Sequence, residues 1–186
     1  MGGIDKCLVS IAGKPILDHI VALVAPQVAG LVLSANGDPA RFARWGLPVL
    51  PDAVTGRGGP LVGILAALEW ALARRPEISD VLSVPGDAPF PPSDLLAVLA
   101  AARDAAGATI AMAAAGGQAN PVMALWPVAL APRLRLALEE EGAAGVGRFA
   151  RSFPLAMAEV AESALVNVNT AEDLEQIVTG SIRPGR

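Results

Sequence analysis

The sequence predicts an α/β fold, a three-layer Rossmann-like arrangement in which a mostly parallel sheet with an antiparallel edge lies between helices. Short apolar runs, typical of buried strands, alternate with longer runs of helical periodicity, and short loops join them. Polar clusters follow the ends of the predicted strands. With 186 residues, 53% of them hydrophobic and 17% charged, the chain fits one domain. We expect that domain to span 1–180, followed by a flexible tail at 181–186.

The first half of the chain contains two predicted helices and two predicted strands. Apolar side chains form a broad helical stripe over 14–25, and Pro15 suits the first turn. Short apolar runs at 31–34 and 48–52 predict buried strands. A glycine-rich turn then leads into 61–75, whose pattern places leucines on one helical face.

The second half repeats this alternation. Residues 80–90 read DVLSVPGDAPF and predict a strand followed by a loop, with a helix after it. Two apolar runs separated by GGQA then predict a hairpin, which we take as the antiparallel edge. A helix over 129–141 and a last strand over 163–169 follow. In the final helix, Thr170 and Asp173 have capping-box spacing.

Charge and composition exclude several classes of function. A net charge of −4 with a pI near 5.0 does not favour nucleic acid as a partner. No apolar run reaches the ~18–20 residues of a membrane span, and the N-terminus lacks a secretory layout, so we expect a soluble cytoplasmic protein without membrane contact. The single Cys7 and the single His19 lack metal-spaced partners, which favours packing roles.

Asp87 and Lys6 are the first candidate site residues. Ligands of such a sheet bind beyond the carboxyl ends of the strands, and Asp87 follows the apolar run 81–84. A carboxylate there suits Mg²⁺, although a turn aspartate explains the local pattern equally well. Lys6 follows a glycine turn and can neutralise phosphate, or it is a solvated surface lysine.

Asn36, Asp52 and Gly59 are further candidates for a nucleotide site. The two polar side chains follow successive predicted strands and suit the edge of a purine or a ribose, although both residue types also form turns. Gly59 lets backbone approach a ligand just before a helix N-terminus, and simple loop geometry is the alternative.

Asn167 and Asn169 alternate at the end of the last predicted strand. In an extended segment both side chains point to the same face, where two amides can bind a polyfunctional ligand. The alternative is that Asn169 or Thr170 only caps the following helix, which contributes about 1 kcal/mol.

In chain order, these clusters resemble the molybdenum cofactor guanylyltransferase family, over nearly the whole chain. The matching segments are MGGIDK, GKPILDHI, SANGD, PD, GGPLVGILAAL, PGDAPF, NPVMALWP and NVNTAEDL. The resemblance implies a nucleotidyltransferase-type fold. It also implies transfer of GMP from Mg-GTP to the terminal phosphate of molybdopterin or molybdenum-molybdopterin, with release of pyrophosphate.

The resemblance also implies roles for individual residues. Lys6 matches the phosphate-binding lysine, and Asn36 and Asp52 match residues of the GTP site. Asp87 matches the aspartate that binds magnesium, so Lys6 and Asp87 are the expected catalytic pair. By the same resemblance, Asn167 and Asn169 lie in the part of the site that binds the pterin.

The remaining expectations concern Arg148 and the binding partners. Arg148 is a candidate for the anionic groups of the acceptor, because arginine binds phosphate bidentately. The expected partners are GTP and the pterin. Transient contacts with other proteins of cofactor biosynthesis are compatible with the resemblance.

The chain departs from the family pattern in two places. Asn120 stands where the family usually has His. The family also begins with a strand and a Leu-Ala-Gly-Gly loop upstream of the Met-Gly, so we expect this chain to be N-terminally incomplete. Alternatives to the guanylyltransferase are a related nucleotidyltransferase that uses CTP or a sugar phosphate, and an inactive nucleotide-binding or cofactor-binding remnant.

Overall fold

Helices packed against three separate β-sheets make up the computed structural model, which describes residues 5–54, 56, 59–140 and 145–178. The helices are α1 Ile16–Val24, α2 Pro60–Arg74, α3 Leu95–Ala106, α4 Ala131–Glu139, α5 Val146–Ala150 and α6 Ala171–Val178. The strands are β1 Ser10–Ile11, β2 Lys14–Pro15, β3 Leu33–Ser34, β4 Val49–Leu50, β5 Asp80–Ser83, β6 Ile110–Ala115, β7 Gln118–Pro127 and β8 Leu155–Glu159.

The sheets are a short antiparallel pair β1–β2, a parallel pair β3–β4 and a four-stranded sheet in the order β5-β7-β6-β8. The α/β class is therefore confirmed, with mixed strand directions. The predicted hairpin is β6–β7, but β7 lies inside the four-stranded sheet, antiparallel to both β5 and β6, rather than at an edge. Beyond β6, the sheet ends at strand β8, which runs parallel to β6.

The last strand differs from the sequence prediction. Residues 163–169 were expected to form it, but a 3₁₀ turn occupies Glu162–Leu165, and no β-ladder is assigned to 166–169. Val168 instead donates its N–H to the carbonyl oxygen of Asp87, at 2.8 Å. The edge strand is β8, whose alanine-rich sequence Leu-Ala-Met-Ala-Glu gives little strand signal.

The four-stranded sheet separates two apolar cores. One face of β6 and β7 packs against α2 and α4, and the opposite face packs against α3, as the period of two in a strand requires. Trp126 and Met112 lie on the first face, while Leu125 and Ala113 lie on the second. A third cluster joins α1 to α6 through Ile16, Val168 and Ile177.

Helix ends largely follow the sequence signals. Pro15 precedes α1 as its N-cap residue rather than starting the first turn. At α6 the capping box is confirmed, because Asp173 N–H donates to Thr170 Oγ1 at 3.1 Å and Thr170 N–H donates to Asp173 Oδ2 at 2.8 Å. Within the described residues, no helix has the length and apolarity to cross a membrane. The predicted tail at 181–186 lies outside the described residues.

Candidate active site

A cleft of about 850 Å³ runs between β3 and β5, with α2 along one side. At the carboxyl ends of both strands it becomes polar, where a parallel sheet normally binds its ligand. The predicted site residues that line this end are Lys6, Asn36, Asp52, Gly59, Asp87 and Asn167. The fold therefore brings together residues that are far apart in the chain.

Lys6 connects two of the predicted site segments. Its ammonium group donates to Asn169 Oδ1 at 2.5 Å and lies 3.4 Å from Asp87 Oδ2. It sits in the 3₁₀ turn Lys6–Leu8, half-exposed beside the cleft. The cluster places one cation and one carboxylate next to each other at the end of β5, which is a suitable arrangement for a polyanionic ligand.

Asn36 and Asp52 form a reciprocal pair. Asn36 Nδ2 donates to Asp52 Oδ2 at 2.7 Å, and the backbone N–H of Asp52 donates to Asn36 Oδ1 at 3.0 Å. They follow β3 and β4, whose parallel pairing brings the two carboxyl ends side by side. These two hydrogen bonds orient both side chains, and the carboxylate and amide oxygens keep further lone pairs that can accept hydrogen bonds.

Gly59 is the N-cap residue of α2. Its φ of 99° lies in the region that favours glycine, and Pro60 then opens the helix. The first N–H groups of α2 therefore face the polar end of the cleft without a side-chain cap. Thr55, Arg57 and Gly58 of the same predicted turn lie outside the described residues, as do residues 1–4 of the opening motif.

Asn167 and Asn169 flank Val168, which is fully buried. Asn169 contacts Lys6, and Asn167 lines the cleft. The Asn167 Oδ1 atom is buried and accepts no hydrogen bond from the described residues. An unpaired buried acceptor is costly, which makes this atom available to a donor group of a ligand.

Arg148 is the predicted site residue that the structure leaves apart. It lies exposed on α5 and does not belong to the cleft lining. Helix α5 packs against β7, where a Cβ added at Gly147 would come within 3.3 Å of Pro121. A contact between Arg148 and an acceptor stays a prediction.

Arg41 is a site component that sequence reasoning missed. It donates to Asp5 Oδ2 and to the carbonyl oxygen of Asn36, both at 2.5 Å, and to the carbonyl oxygen of Asp38. It thereby ties the segment that carries Lys6 to the loop that carries Asn36. No sequence signal separates it from the other arginines, because its partners are distant in the chain.

Two close contacts also shape the cleft. A Cβ added at Gly63, on α2, would lie 2.4 Å from Ser34 Oγ, so the helix approaches β3 closely only with glycine there. Asn120 lines the opposite wall and accepts from the backbone N–H of Val122 at 3.1 Å. It occupies the position where the resemblance expects His.

Cys7 and His19 have the structural surroundings that the sequence indicates. Burial raises the pKa of the Cys7 thiol, with the Asp5 carboxylate adding to the effect, so the reactive thiolate is disfavoured. His19 Nε2 donates to the carbonyl oxygen of Ile11 at 3.0 Å and fixes the start of α1 against β1.

The acidic groups of the cleft determine what cation it can hold. Among the described residues, no three His, Cys, Asp or Glu side chains converge as a protein-only metal centre. Asp87 is half-buried at the polar end. A single carboxylate fits Mg²⁺, which commonly uses one or two carboxylates and completes its shell with water and substrate phosphates.

Comparison with known proteins decides the family. The model of the MobA-like NTP transferase domain matches residues 1–160. The molybdenum cofactor guanylyltransferase of Bradyrhizobium sp. is 48% identical over 179 residues, covering 95% of this chain and 84% of that protein.

This chain belongs to the MobA-like NTP transferase family.

Two solved structures share the fold of this chain. Molybdopterin-guanine dinucleotide biosynthesis protein A from Archaeoglobus fulgidus has a TM-score of 0.74 at 18% identity, covering 96% of this chain and 91% of that one. Rv0371c from Mycobacterium tuberculosis in complex with manganese has a TM-score of 0.69 at 19% identity, covering 95% and 93%. The MobA-like fold therefore extends over nearly the whole chain.

Proposed function

We propose that this MobA-like protein transfers GMP from GTP to the terminal phosphate of molybdopterin, giving the guanine dinucleotide form of the cofactor and pyrophosphate. The observation that carries the proposal is the 48% identity, over 95% of the chain, to a protein named molybdenum cofactor guanylyltransferase. The cleft geometry supports it, because one end combines a cation, a carboxylate and several amides.

The nucleotide occupies the polar end of the cleft in this proposal. The Asn36–Asp52 pair binds the base or ribose, because it offers oriented oxygens beside an approachable strand end. Gly59 and the free N–H groups at the start of α2 lie where a phosphate would be stabilised. Lys6 neutralises phosphate oxygens from the opposite side.

A divalent cation, Mg²⁺, is part of the proposal, with Asp87 as its protein ligand. Support comes from the half-buried carboxylate at the end of β5 and from the manganese complex of the structural neighbour Rv0371c. When bound, the cation would reduce the charge on the phosphates. Lys6 and Asn169 would then position the Asp87 loop from the side.

The chemistry needs few protein groups. An oxygen of the acceptor phosphate attacks the α-phosphorus of GTP, and the bond from that phosphorus to the bridging oxygen breaks, so that both its electrons leave with pyrophosphate. The acceptor phosphate is ionised near neutral pH, so it needs no general base. Lys6 stabilises the negative charge that accumulates in the transition state.

On the acceptor side, Asn167 and Asn169 are the proposed contacts. Asn167 Oδ1 is buried and receives no hydrogen bond from the described residues. A pterin carries several N–H groups that can donate to it. Arg148 is a more distant proposed contact for the phosphate of the acceptor. A cytoplasmic location belongs to the same proposal, consistent with a single cysteine that cannot form an internal disulfide.

The test is a direct product assay. Purified protein is incubated with molybdopterin, Mg²⁺ and either GTP or CTP, and the dinucleotide and pyrophosphate are quantified. We expect the guanine product with GTP and little product with CTP. Equal use of the two nucleotides would contradict the guanine assignment, and GTP binding without product in either case would favour a binding protein.

A further inference from the structure

The side chain of Arg41 connects two segments that form the polar end of the cleft, although Arg41 itself lies outside the lining. Its Nε donates to Asp5 Oδ2 and its Nη2 to the carbonyl oxygen of Asn36, both at 2.5 Å. Its Nη1 donates to the carbonyl oxygen of Asp38. All three guanidinium nitrogens are therefore bonded, to acceptors on three different residues.

Arg41 is anchored by the 3₁₀ helix Pro39–Trp45, to which it belongs. Asp38 caps this helix, because its Oδ1 accepts from the N–H of Ala40 at 2.9 Å. The ring of Phe42 is buried, and its centre lies 4.5 Å from the guanidinium carbon of Arg41. The side chain of Arg41 is only 26% exposed, so its orientation is set by the protein rather than by solvent.

Asp5 connects Arg41 to the turn that carries Lys6. The carbonyl oxygen of Asp5 accepts from the N–H of Leu8 at 2.9 Å and so closes the 3₁₀ turn Lys6–Leu8. The carboxylate of Asp5 is bonded to Arg41. Because Asp5 and Lys6 are neighbours in the chain, a displacement of Asp5 also displaces the ammonium group of Lys6.

Asn36 is held from two directions. Its side chain exchanges two hydrogen bonds with Asp52, and its carbonyl oxygen accepts from Arg41. The loop continues through Gly37, whose φ is 80°, and a Cβ added there would lie 3.5 Å from Arg41 Nη1. The loop after β3 therefore packs directly on the guanidinium group.

The charge of Arg41 has a second effect on an anionic ligand. The carboxylates of Asp5, Asp52 and Asp87 line the polar end of the cleft, and an unpaired carboxylate repels such a ligand. Arg41 pairs with Asp5, and Lys6 lies beside Asp87. The ion pair with Arg41 thus makes this end of the cleft less negative.

We propose that Arg41 is a positioning residue for the nucleotide, because it holds the turn of Lys6 and the loop of Asn36 in a fixed arrangement in which both reach one bound molecule. This inference rests on the proposed function, which places the phosphates at Lys6 and the base or ribose at Asn36. Arg41 acts through these two residues and does not contact the substrate.

Steady-state kinetics separate this role from a general effect on stability. We expect R41A to raise the KM for GTP about tenfold and to change the KM for molybdopterin by less than about twofold. The matched control is R44A on the same 3₁₀ helix. Arg44 donates to Asp18 at 3.0 Å and lies 4.8 Å from the ring centre of Trp45, so its loss should leave the KM for GTP unchanged.

The single thiol of the chain provides a readout that needs no nucleotide. Cys7 is half-buried in the turn Lys6–Leu8. Burial and, after it, the Asp5 carboxylate raise the pKa of the Cys7 thiol, whereas the charge of Arg41 lowers it. If the turn stayed in place in R41A, the lost charge would therefore slow the reaction of the thiol with an aromatic disulfide reagent at fixed pH.

We expect the opposite, a reaction about tenfold faster in R41A, because release of the turn exposes the thiol. R41K should also react faster than wild type. It keeps the positive charge but cannot bond three acceptors in one plane, so its acceleration comes from the lost hydrogen bonds alone. R44A should react at the rate of the wild type.

Two results would overturn the proposal. One is a slower or unchanged thiol reaction in both R41A and R41K, and the other is an equal rise of both KM values in R41A. Absence of guanine product with the wild-type protein would contradict the proposed function instead. The thiol reaction would still decide whether Arg41 holds the turn, because it is measured without substrate.

Discussion

At the scale of single residues, most site residues found from the sequence share one property. Asn36, Asp52 and Asp87 stand beside turns that follow apolar runs, and the alternation of strands and helices brings such positions to one edge. Lys6 instead follows a glycine turn. Arg41 has no such mark, because its contacts with Asp5 and Asn36 exist only after folding. Position relative to a strand end is therefore predictable, whereas a long-range hydrogen bond is not.

Removal of the Asp87 carboxylate should strongly reduce turnover and spare the fold. We expect Asp87→Ala to lower kcat by about 10²–10³-fold, because charge stabilisation at the reacting phosphates is lost. The backbone carbonyl that accepts from Val168 stays in place, so the free energy of unfolding should change by less than about 1 kcal/mol. The matched control is Asp104→Ala, on the exposed side of α3. Near-wild-type product formation by the Asp87 variant would exclude its proposed role.

Loss of the Asn36–Asp52 pair should weaken nucleotide binding rather than the chemical step. Asn36→Ala should raise the KM for GTP about three- to tenfold with little change in kcat, because it removes two hydrogen bonds that orient Asp52. Steady-state kinetics of both single variants and of the double variant provide the check. We expect strongly non-additive effects, and additive ones would mean that the two side chains act separately.

At the scale of elements, close packing of α2 on β3 depends on Gly63. The Gly63→Val substitution should lower the Tm, because its Cβ would lie 2.4 Å from Ser34 Oγ and 3.1 Å from Ser34 Cβ, at a cost of about 1–3 kcal/mol. Ala73→Val, exposed on the same helix, controls for helix propensity. Equal melting temperatures of the two variants would show that the helix moves away without cost.

The capping box of α6 should make its stability depend on pH. Hydrogen bonds from the N–H groups of Asn169 and Thr170 lower the pKa of Asp173 in the folded protein. Its stabilisation is therefore fully present above the pKa of the unfolded residue and is lost as the pH falls through the folded value.

A comparison of melting temperatures checks this dependence. Asp173→Ala should melt below wild type at neutral pH, and the difference should disappear once the pH is well below 3.8. Glu172→Ala, one position earlier in the same first turn, should show much less of this pH dependence. A difference between wild type and Asp173→Ala that persists at the lowest pH would point to lost packing rather than lost charge.

Helices and strands differ in how clearly the sequence predicts them. Helix α2 follows a long periodic run, and its predicted range of 61–75 agrees closely with Pro60–Arg74 in the structure. Strand β8 escaped prediction because alanine is a weak strand former, and only its buried Ala156 and Ala158 show the alternation. Residues 163–169 carry an apolar pattern that matches a strand, yet they pair with the Asp87 loop.

At the scale of the whole molecule, stability depends on the interior position of β7. Trp126 is fully buried near the C-terminal end of β7 and donates from Nε1 to Ser83 Oγ at 2.8 Å. Trp126→Ala should cost about 3–5 kcal/mol, a large part of the 5–15 kcal/mol typical of a domain. Urea titration measures the loss, and Trp126→Phe should cost clearly less. Similar midpoints for the two variants would mean that the core closes around the missing ring.

The arrangement of the strands into sheets is the feature that sequence periodicity predicts least well. Apolar runs identify β3, β5 and β7 as strands, but each run is equally compatible with many neighbours. The interior position of β7 is decided by tertiary contacts, as its side chains are buried against helices on both faces. A family resemblance adds information on strand order, because it compares the order of motifs along the whole chain.

The position of Trp70 makes its fluorescence sensitive to what fills the cleft. Trp70 lines the cleft, whereas Trp126 is fully buried in the core and the indole N–H of Trp45 donates to Asp18 Oδ1. Indole emission shifts to shorter wavelength when water leaves its surroundings. With Trp45 replaced by Phe, a blue shift on filling of the cleft would come from Trp70 against the constant emission of Trp126, so the protein contains its own fluorescent reporter of cleft occupancy.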